Sequence, residues 1–161
     1  MTDFSALYKK YAPDVFRFAL YLSGERSEAE DITSETFVRV WTSPEPIETA
    51  TVKGYLFTIA RNLFLHDLRK KSRQVDRDVD LDRELPDPQA SPYARAEQKA
   101  ELRAVLAELQ KLPEIDRAAL LMRALDGMAY EEISRALGIS LASTKVKIHR
   151  ARLALAGVRH G

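Results

Sequence analysis

YEEISRALGISLASTKVKIHRARLALA, residues 130–156, reads as two short helices, 130–137 and 141–156, joined by the tight turn Gly138-Ile139-Ser140. Glycine lets the chain reverse, an apolar residue follows, and the serine is placed to cap the second helix. A helix-turn-helix needs this pattern to set two helices across each other. On a wheel of about 100° per residue, Leu141, Thr144, Ile148, Ala151 and Leu155 fall in one narrow arc that must face a core. Opposite lie Ala142, Ser143, Val146, Lys147, His149 and Arg150, with Lys145 and Arg152 flanking the apolar arc. No acid occurs on this helix, whereas Glu131, Glu132 and Arg135 mix signs on the preceding one. Bases for phosphates and short side chains for base edges suit a helix that enters the major groove of DNA. Val146 either meets a thymine methyl there or is a lone surface valine.

Outward from this motif the chain keeps the same period. Glycine is scarce, β-branched runs are short, and apolar residues recur at three-to-four spacing, so the fold class is all-α. A first helix is expected over 3–22, with Phe4, Leu7, Tyr8, Tyr11, Val15, Phe16 and Ala19 as its inner stripe. After the Ser23-Gly24 break, Ser27 and Glu30 form a capping-box pattern that starts a helix over 28–41. The prolines of Ser43-Pro44-Glu45-Pro46 end it. A third helix spans 52–71, with Leu56, Ile59, Ala60, Leu63 and Leu68 inward. Ser91 as cap and Pro92 in the first turn open a helix to about 111, Pro113 starts another to about 125, and Asp126-Gly127 turns the chain. Gly157 is read as the final stop.

Two small helical domains are expected, 1–73 and 93–161, joined by an acidic, proline-containing linker at 74–92. The linker has six acids against two bases and three prolines, too little apolar surface to bury a core. The formal charge of +1 conceals segregation: residues 25–35 carry five acids and one base, 61–73 five bases and one acid, and 141–161 five bases and no acid. Two cationic patches are what a polyanion would meet. The chain has no cysteine, three scattered histidines and no apolar run long enough to span a bilayer. The beginning Met1-Thr2-Asp3-Phe4 lacks a secretion signal, so a cytoplasmic protein without membrane insertion is expected, with no cofactor, metal or small-molecule ligand.

On the third helix Thr58, Asn62, His66, Arg69 and Arg73 make a polar stripe, with Lys70 and Lys71 beside it and Tyr55, Phe57 and Phe64 interleaved. Asparagine and arginine read base edges and aromatic rings stack unpaired bases. The stripe therefore suits a strand-separated nucleic acid, unless the aromatics are core. The second helix has the opposite chemistry. Glu28, Glu30, Asp31 and Glu35 form an acidic face beside the apolar Ile32, Phe37, Val40 and Trp41, which suits solvent or a basic protein partner.

The runs EAEDITSETFVRVW (28–41), GYLFTIARNLFLHDLRKK (54–71), LPEIDR (112–117), YEEI (130–133) and KVKIHRAR (145–152) resemble, in order and over nearly the whole chain, extracytoplasmic-function (ECF) sigma factors of the sigma-70 family. The resemblance implies binding to core RNA polymerase through Asp31, Glu35, Phe37 and Trp41. It implies −10 recognition and melting by Phe57, Arg61, Asn62, His66, Arg69 and Lys70, with the loop at 47–53 capturing an extruded base. Arg123, Ser143, Lys145, Val146, Lys147, His149, Arg150 and Arg152 would read the −35 duplex. The linker would thread along the polymerase's RNA path, and an anti-sigma factor would be a further partner. Ala142-Ser143-Thr144 stands where the family usually has Gly-Thr-Val, Val146 where it has serine and Tyr55 where it has tryptophan, so the −35 preference stays open.

A polymerase specificity subunit is not itself an enzyme. A stand-alone helix-turn-helix regulator would instead need a dimer helix to match two half-sites. A nucleic-acid-processing enzyme would need a carboxylate, metal or nucleophile cluster in a cationic cleft. Neither feature is visible in the sequence, and a protein-binding adaptor leaves the acid-free helix unexplained.

Overall fold

A computed structural model describes residues 4–42, 51–71 and 92–159, which form seven helices and no strand. The first, α1 (Phe4–Ser23), runs through Pro13. That proline removes one backbone donor, and the carbonyl it would have met belongs to Lys9 on an exposed turn where water can serve it. Gly24, at φ 79°, ends α1 by donating to the Leu20 carbonyl at 2.8 Å. The chain then enters α2 (Arg26–Thr42) two residues before the expected start. Ser27 is therefore inside the helix, and in the turn ahead of it the hydroxyl of Ser23 accepts the Glu25 N–H at 3.2 Å. Glu30 closes no capping box and pairs with Arg26 at 3.2 Å.

α1, α2 and α3 (Val52–Lys71) pack mutually around Val15, Phe18, Leu22, Ile32, Phe37, Leu56, Phe57, Leu63 and Phe64. Phe18 and Phe57 stack with ring centres 4.6 Å apart and planes 13° from parallel. Each such buried ring contributes about 1.5–3 kcal/mol of burial free energy. The expected inner stripe of α1 holds at Val15 and Ala19, which are fully buried, and at Phe4, Tyr11 and Phe16, which pack on the core; Phe18 and Leu22 join it as buried anchors, and Tyr8 stays exposed. Leu68, expected inward, is also exposed, as are its neighbours Arg69 and Lys70 at the end of α3.

The C-terminal half comprises α4 (Pro92–Gln110), α5 (Glu114–Asp126), α6 (Tyr130–Leu137) and α7 (Leu141–Arg159). Gly127 and Gly138 take φ of 60° and 67° at the ends of α5 and α6, a conformation that costs any residue with a Cβ. Ile133, Leu137, Ile148 and Ala151 of the last two helices bury against Ala118, Ala119 and Met122 of α5. Gly157 does not stop α7, which continues to Arg159; a single glycine weakens a helix by only about 1 kcal/mol. The expected stop at 43–46, the linker through residue 91 and the Ser91 cap lie outside the described residues.

The halves share one core, with α1 touching α4 and α5, and α3 touching α6. Arg117 of α5 is buried and donates to the Leu22 carbonyl at the end of α1, to the Leu112 carbonyl at 3.3 Å and to Gln110 Oε1 at 2.7 Å. Burial lowers the Arg117 pKa and Glu114 pulls it back up. A guanidinium stays charged throughout, so these acceptors offset its desolvation. Its charge also complements the negative end of the α1 dipole.

Candidate nucleic-acid and protein interfaces

The groove-facing helix is built from its cap upward. Ser140 accepts the Ser143 N–H at 3.0 Å through its hydroxyl, and buried Thr144 returns a hydrogen bond to the Ser140 carbonyl at 2.9 Å. The Ser134 hydroxyl fastens the turn by donating to the Ile139 carbonyl at 2.5 Å. Thr144, Ile148 and Ala151 are buried, with Leu141 and Leu155 partly so, which is the arc read from the sequence. Ala142, Lys145, Val146, His149, Arg150 and Arg152 are exposed, and Ser143 and Lys147 are partly exposed.

Two of the basic side chains expected at the −35 duplex already have protein partners. Arg150 makes a two-pronged pair with Asp116 of α5, Nε to Oδ2 at 2.7 Å and a terminal nitrogen to Oδ1 at 2.9 Å. Asp116 is 1% exposed and Arg150 58%, so the pair braces α7 on α5 while the arginine keeps an open edge. Hydrogen bonding to Asp116 raises the Arg150 pKa further. Arg123 donates to the Met128 carbonyl at 2.9 Å, and its guanidinium lies 4.6 Å from the Tyr130 ring centre, so it holds the α5–α6 turn. Lys145 reaches the same ring at 6.0 Å.

On α3 the aromatic and polar residues separate. Phe57 is fully buried against Phe18 and offers no face to a base, which corrects its expected place at the −10 strand. Its position on the wheel points to the α1 core, and burial of a large ring outweighs a stacking role on an open surface. Phe64 is buried too, and the Thr58 hydroxyl is spent on the Gly54 carbonyl at 2.8 Å. Asn62, His66, Arg69 and Lys70 are exposed. A cavity of about 320 Å³ is lined by Arg39, Asn62, Leu63, Leu65, His66 and Arg69. Arg39 reaches it from α2, a helix whose sequence drew attention for its acids. Arg61 is held by Glu114 of α5, its Nε at 2.6 and 3.1 Å from the two carboxylate oxygens. Of the expected base-capturing loop, residues 47–50 lie outside the described residues. Thr51 and Lys53 face the C-terminal half, at 3.0 Å from Glu132 and 3.4 Å from Asp126.

On the other side of the N-terminal half, Asp31 and Glu35 are exposed along α2. Beside them Phe4, Tyr8, Ser34, Phe37, Val38 and Trp41 line an apolar groove of about 430 Å³. Trp41 is 63% exposed and Val38 50%, while Phe37 forms the buried floor. Edge-to-face contacts, Phe4 to Trp41 at 4.7 Å and Tyr8 to Phe37 at 5.0 Å, set the walls. Reading α2 alone showed Phe37 and Trp41; the groove needs Phe4 and Tyr8 from a second helix. Among the described residues no cluster of histidine and acid side chains suits a metal, and no helix is long and apolar enough to cross a membrane.

Residues 7–74 match the family model of sigma-70 region 2, and residues 102–155 that of sigma-70 region 4. The chain is 34% identical over 147 residues to the ECF RNA polymerase sigma factor SigM of Bacillus subtilis, covering 91% of this chain and 88% of SigM. It is 32% identical to EcfG of Rhodopseudomonas palustris, over 91% of this chain and 79% of EcfG. With SigE of Mycolicibacterium smegmatis it shares 36% identity over 153 residues, 94% of this chain, and spans 60% of the length of SigE. Two solved structures have the same fold. The sigma factor RpoE of Bartonella quintana, solved with the anti-sigma factor NepR, superposes with a TM-score of 0.75 at 24% identity, over 99% of this chain and 98% of RpoE. CnrH, solved with the cytosolic domain of CnrY, gives 0.73 at 22% identity, over 98% of this chain and 87% of CnrH. The exposed basic helix and the three-helix unit with its acidic face thus fall within two matched sigma regions, and the chain belongs to the ECF RNA polymerase sigma factors.

Proposed function

We propose that the chain directs core RNA polymerase to promoters by docking through one face and reading DNA through two others. The observation that carries this is the exposed, acid-free surface of α7, set by the Ser140 cap and Thr144 on the same chain as the exposed acidic and apolar face of α2. The α2 face, Asp31 and Glu35 beside the Phe37–Trp41 groove, combines charge to steer a basic partner with an apolar slot to hold it. Trp41 is the anchor expected to dominate that contact. Ser143, Lys145, Val146, Lys147, His149 and Arg152 take the −35 duplex, while Arg150 and Arg123 position the helix as well as contacting phosphate. Asn62, His66, Arg69 and Lys70, joined by Arg39, take the −10 strand, and Arg61 joins them once free of Glu114.

The polymerase performs the chemistry and the chain supplies specificity, with residues 1–73 and 93–161 as its two functional domains and 74–92 as the connector. It works in the cytoplasm, and an anti-sigma factor of the kind bound to the Bartonella quintana relative is the natural regulator. The test is run-off transcription. Purified chain should co-elute with core polymerase and support transcripts from a subset of promoters. A chain that binds duplex DNA but not core would be a stand-alone regulator.

A further inference from the structure

One exposed cation of α7 is held from below by a buried acid. Asp116 of α5 is 1% exposed, and both its oxygens accept from Arg150, which is 58% exposed. The carboxylate takes Nε and the terminal nitrogen beside it. One side of the guanidinium fork is thereby filled, and its tip, with an N–H on each terminal nitrogen, stays open. Among the described residues no acid pairs with Lys145, Lys147 or Arg152, so Arg150 is treated differently from its neighbours. Its position is different too. At about 100° per residue, Val146 sits at the middle of the outer arc and Arg150 follows one turn later, while Lys145 and Lys147 lie on opposite flanks. In a helix seated in the major groove, the middle of that arc meets base edges and the flanks meet the phosphate rims.

We propose that Asp116 is a positioning residue, which fixes Arg150 to read a guanine in the −35 duplex. This rests on the promoter reading above and goes beyond the phosphate contact given to Arg150 there. Guanine offers O6 and N7 side by side in the major groove, and the tip of an arginine fork matches them with two parallel hydrogen bonds. Adenine presents an amino donor where guanine has O6, so the same tip meets a like group and is rejected. Two effects of Asp116 favour a base over a phosphate. Its charge offsets that of Arg150, which weakens the attraction to phosphate that every sequence shares and leaves the directed donors in place. Holding a long side chain in one rotamer before DNA arrives also removes an ordering cost that otherwise falls on binding. A mere strut between α5 and α7 needs no charge, since an apolar pair of like size would fill the space without desolvating a carboxylate.

The test is a selection from a pool of randomised duplexes, with the tagged full chain and core polymerase present. One position of the recovered −35 sequence should be guanine in the parent and lose that preference in Asp116→Asn, whose amide cannot accept with both atoms. Replacing that guanine by 7-deazaguanine, which lacks the N7 acceptor, should weaken parent binding about tenfold and Asp116→Asn binding only about twofold. Asp116→Asn should also bind an alternating A·T duplex more tightly, with the salt slope of log K steeper by about one, because Arg150 regains its full charge. A simple strut would instead lower the Tm and weaken every duplex alike. Should Asp116→Asn fail to fold, the parent still answers: the Nε–H of Arg150 should give a resolved, slowly exchanging nuclear magnetic resonance signal before DNA is added. A fast-exchanging signal, or a guanine preference that folded Asp116→Asn keeps, overturns the positioning role. A preferred sequence that tolerates 7-deazaguanine at every guanine overturns it as well and leaves the −35 reading standing. A pool with no preferred sequence sinks both.

Discussion

The outer faces of α7 and α3 carry the same sequence signature, basic and polar residues at helical spacing, yet they meet opposite fates in the structure. On α7, the wheel separates buried Thr144, Ile148 and Ala151 from exposed Lys145, Val146 and His149. On α3, the aromatic that suits a base platform by sequence, Phe57, is core, and Arg61, one turn further on, is held by a helix more than 50 positions away in sequence. The difference lies in what covers each face. Apart from the Arg150–Asp116 brace and the reach of Lys145 to Tyr130, the outer positions of α7 stay exposed, so local periodicity decides which side chains there are buried. α3 lies under both α1 and α6, and a periodic pattern cannot say which of its two polar-flanked sides is the occupied one.

The largest effect that tests this contrast is at Phe57. Replacing it with alanine removes a fully buried ring from a stacked pair and should cost about 3–5 kcal/mol in urea unfolding. A Phe57→Ala chain that unfolds at the parental midpoint but loses single-strand binding would restore the ring to the promoter surface. Next is the division within α7. Arg150→Ala leaves Asp116 buried without its partner, so it should lower the Tm as well as promoter affinity. Lys145→Ala should leave the Tm unchanged, weaken binding across all sequences and reduce the salt slope of log K by about one. Equal thermal shifts for the two would erase the distinction between a bracing and a reading cation. Trp41→Ala should lower affinity for core polymerase about tenfold or more, with unchanged helicity and unchanged −35 duplex binding. A loss of DNA binding equal to the loss of core binding would merge the two faces.

Helix number, the turn at Gly138, the Ser140 cap and the exposed surface of α7 were all legible, because each depends on neighbours within about four residues. The capping-box pattern at Ser27 and Glu30 predicts a later start for α2, but the αL turn at Gly24 brings the helix in at Arg26. The apolar groove was half legible: Phe37 and Trp41 share a helix, but Phe4 and Tyr8 come from another. Least legible were the pairs Arg61–Glu114 and Arg117–Leu22, which join charges on one half to acceptors on the other. The segregation of charge along the chain announced that attraction between segments was available, but not which segments would meet.

The smallest effect concerns Asp126, where the halves meet in an imperfect pair. Its carboxylate is 1% exposed, 3.4 Å from Lys53 of α3 and 3.6 Å from Arg17 of α1, and neither oxygen accepts a well-directed hydrogen bond. Burial pushes the Asp126 carboxyl up; Lys53 pulls it down, Asp14 of α1 pushes it up again, and Arg17 adds a weaker downward pull. The balance is upward, so the folded chain holds this proton more tightly than the unfolded chain does. The stability from this group is therefore full below the ordinary carboxylate value, about 3.9, and is lost as pH rises through the raised folded value. Asp126→Asn is fixed in the neutral form. It should flatten the pH dependence of the urea midpoint across mildly acidic pH and cost little stability at pH 7. A destabilisation at pH 7 larger than at pH 4 would mean that Lys53 and Arg17 outweigh burial, making Asp126 a true ionic clasp between the halves.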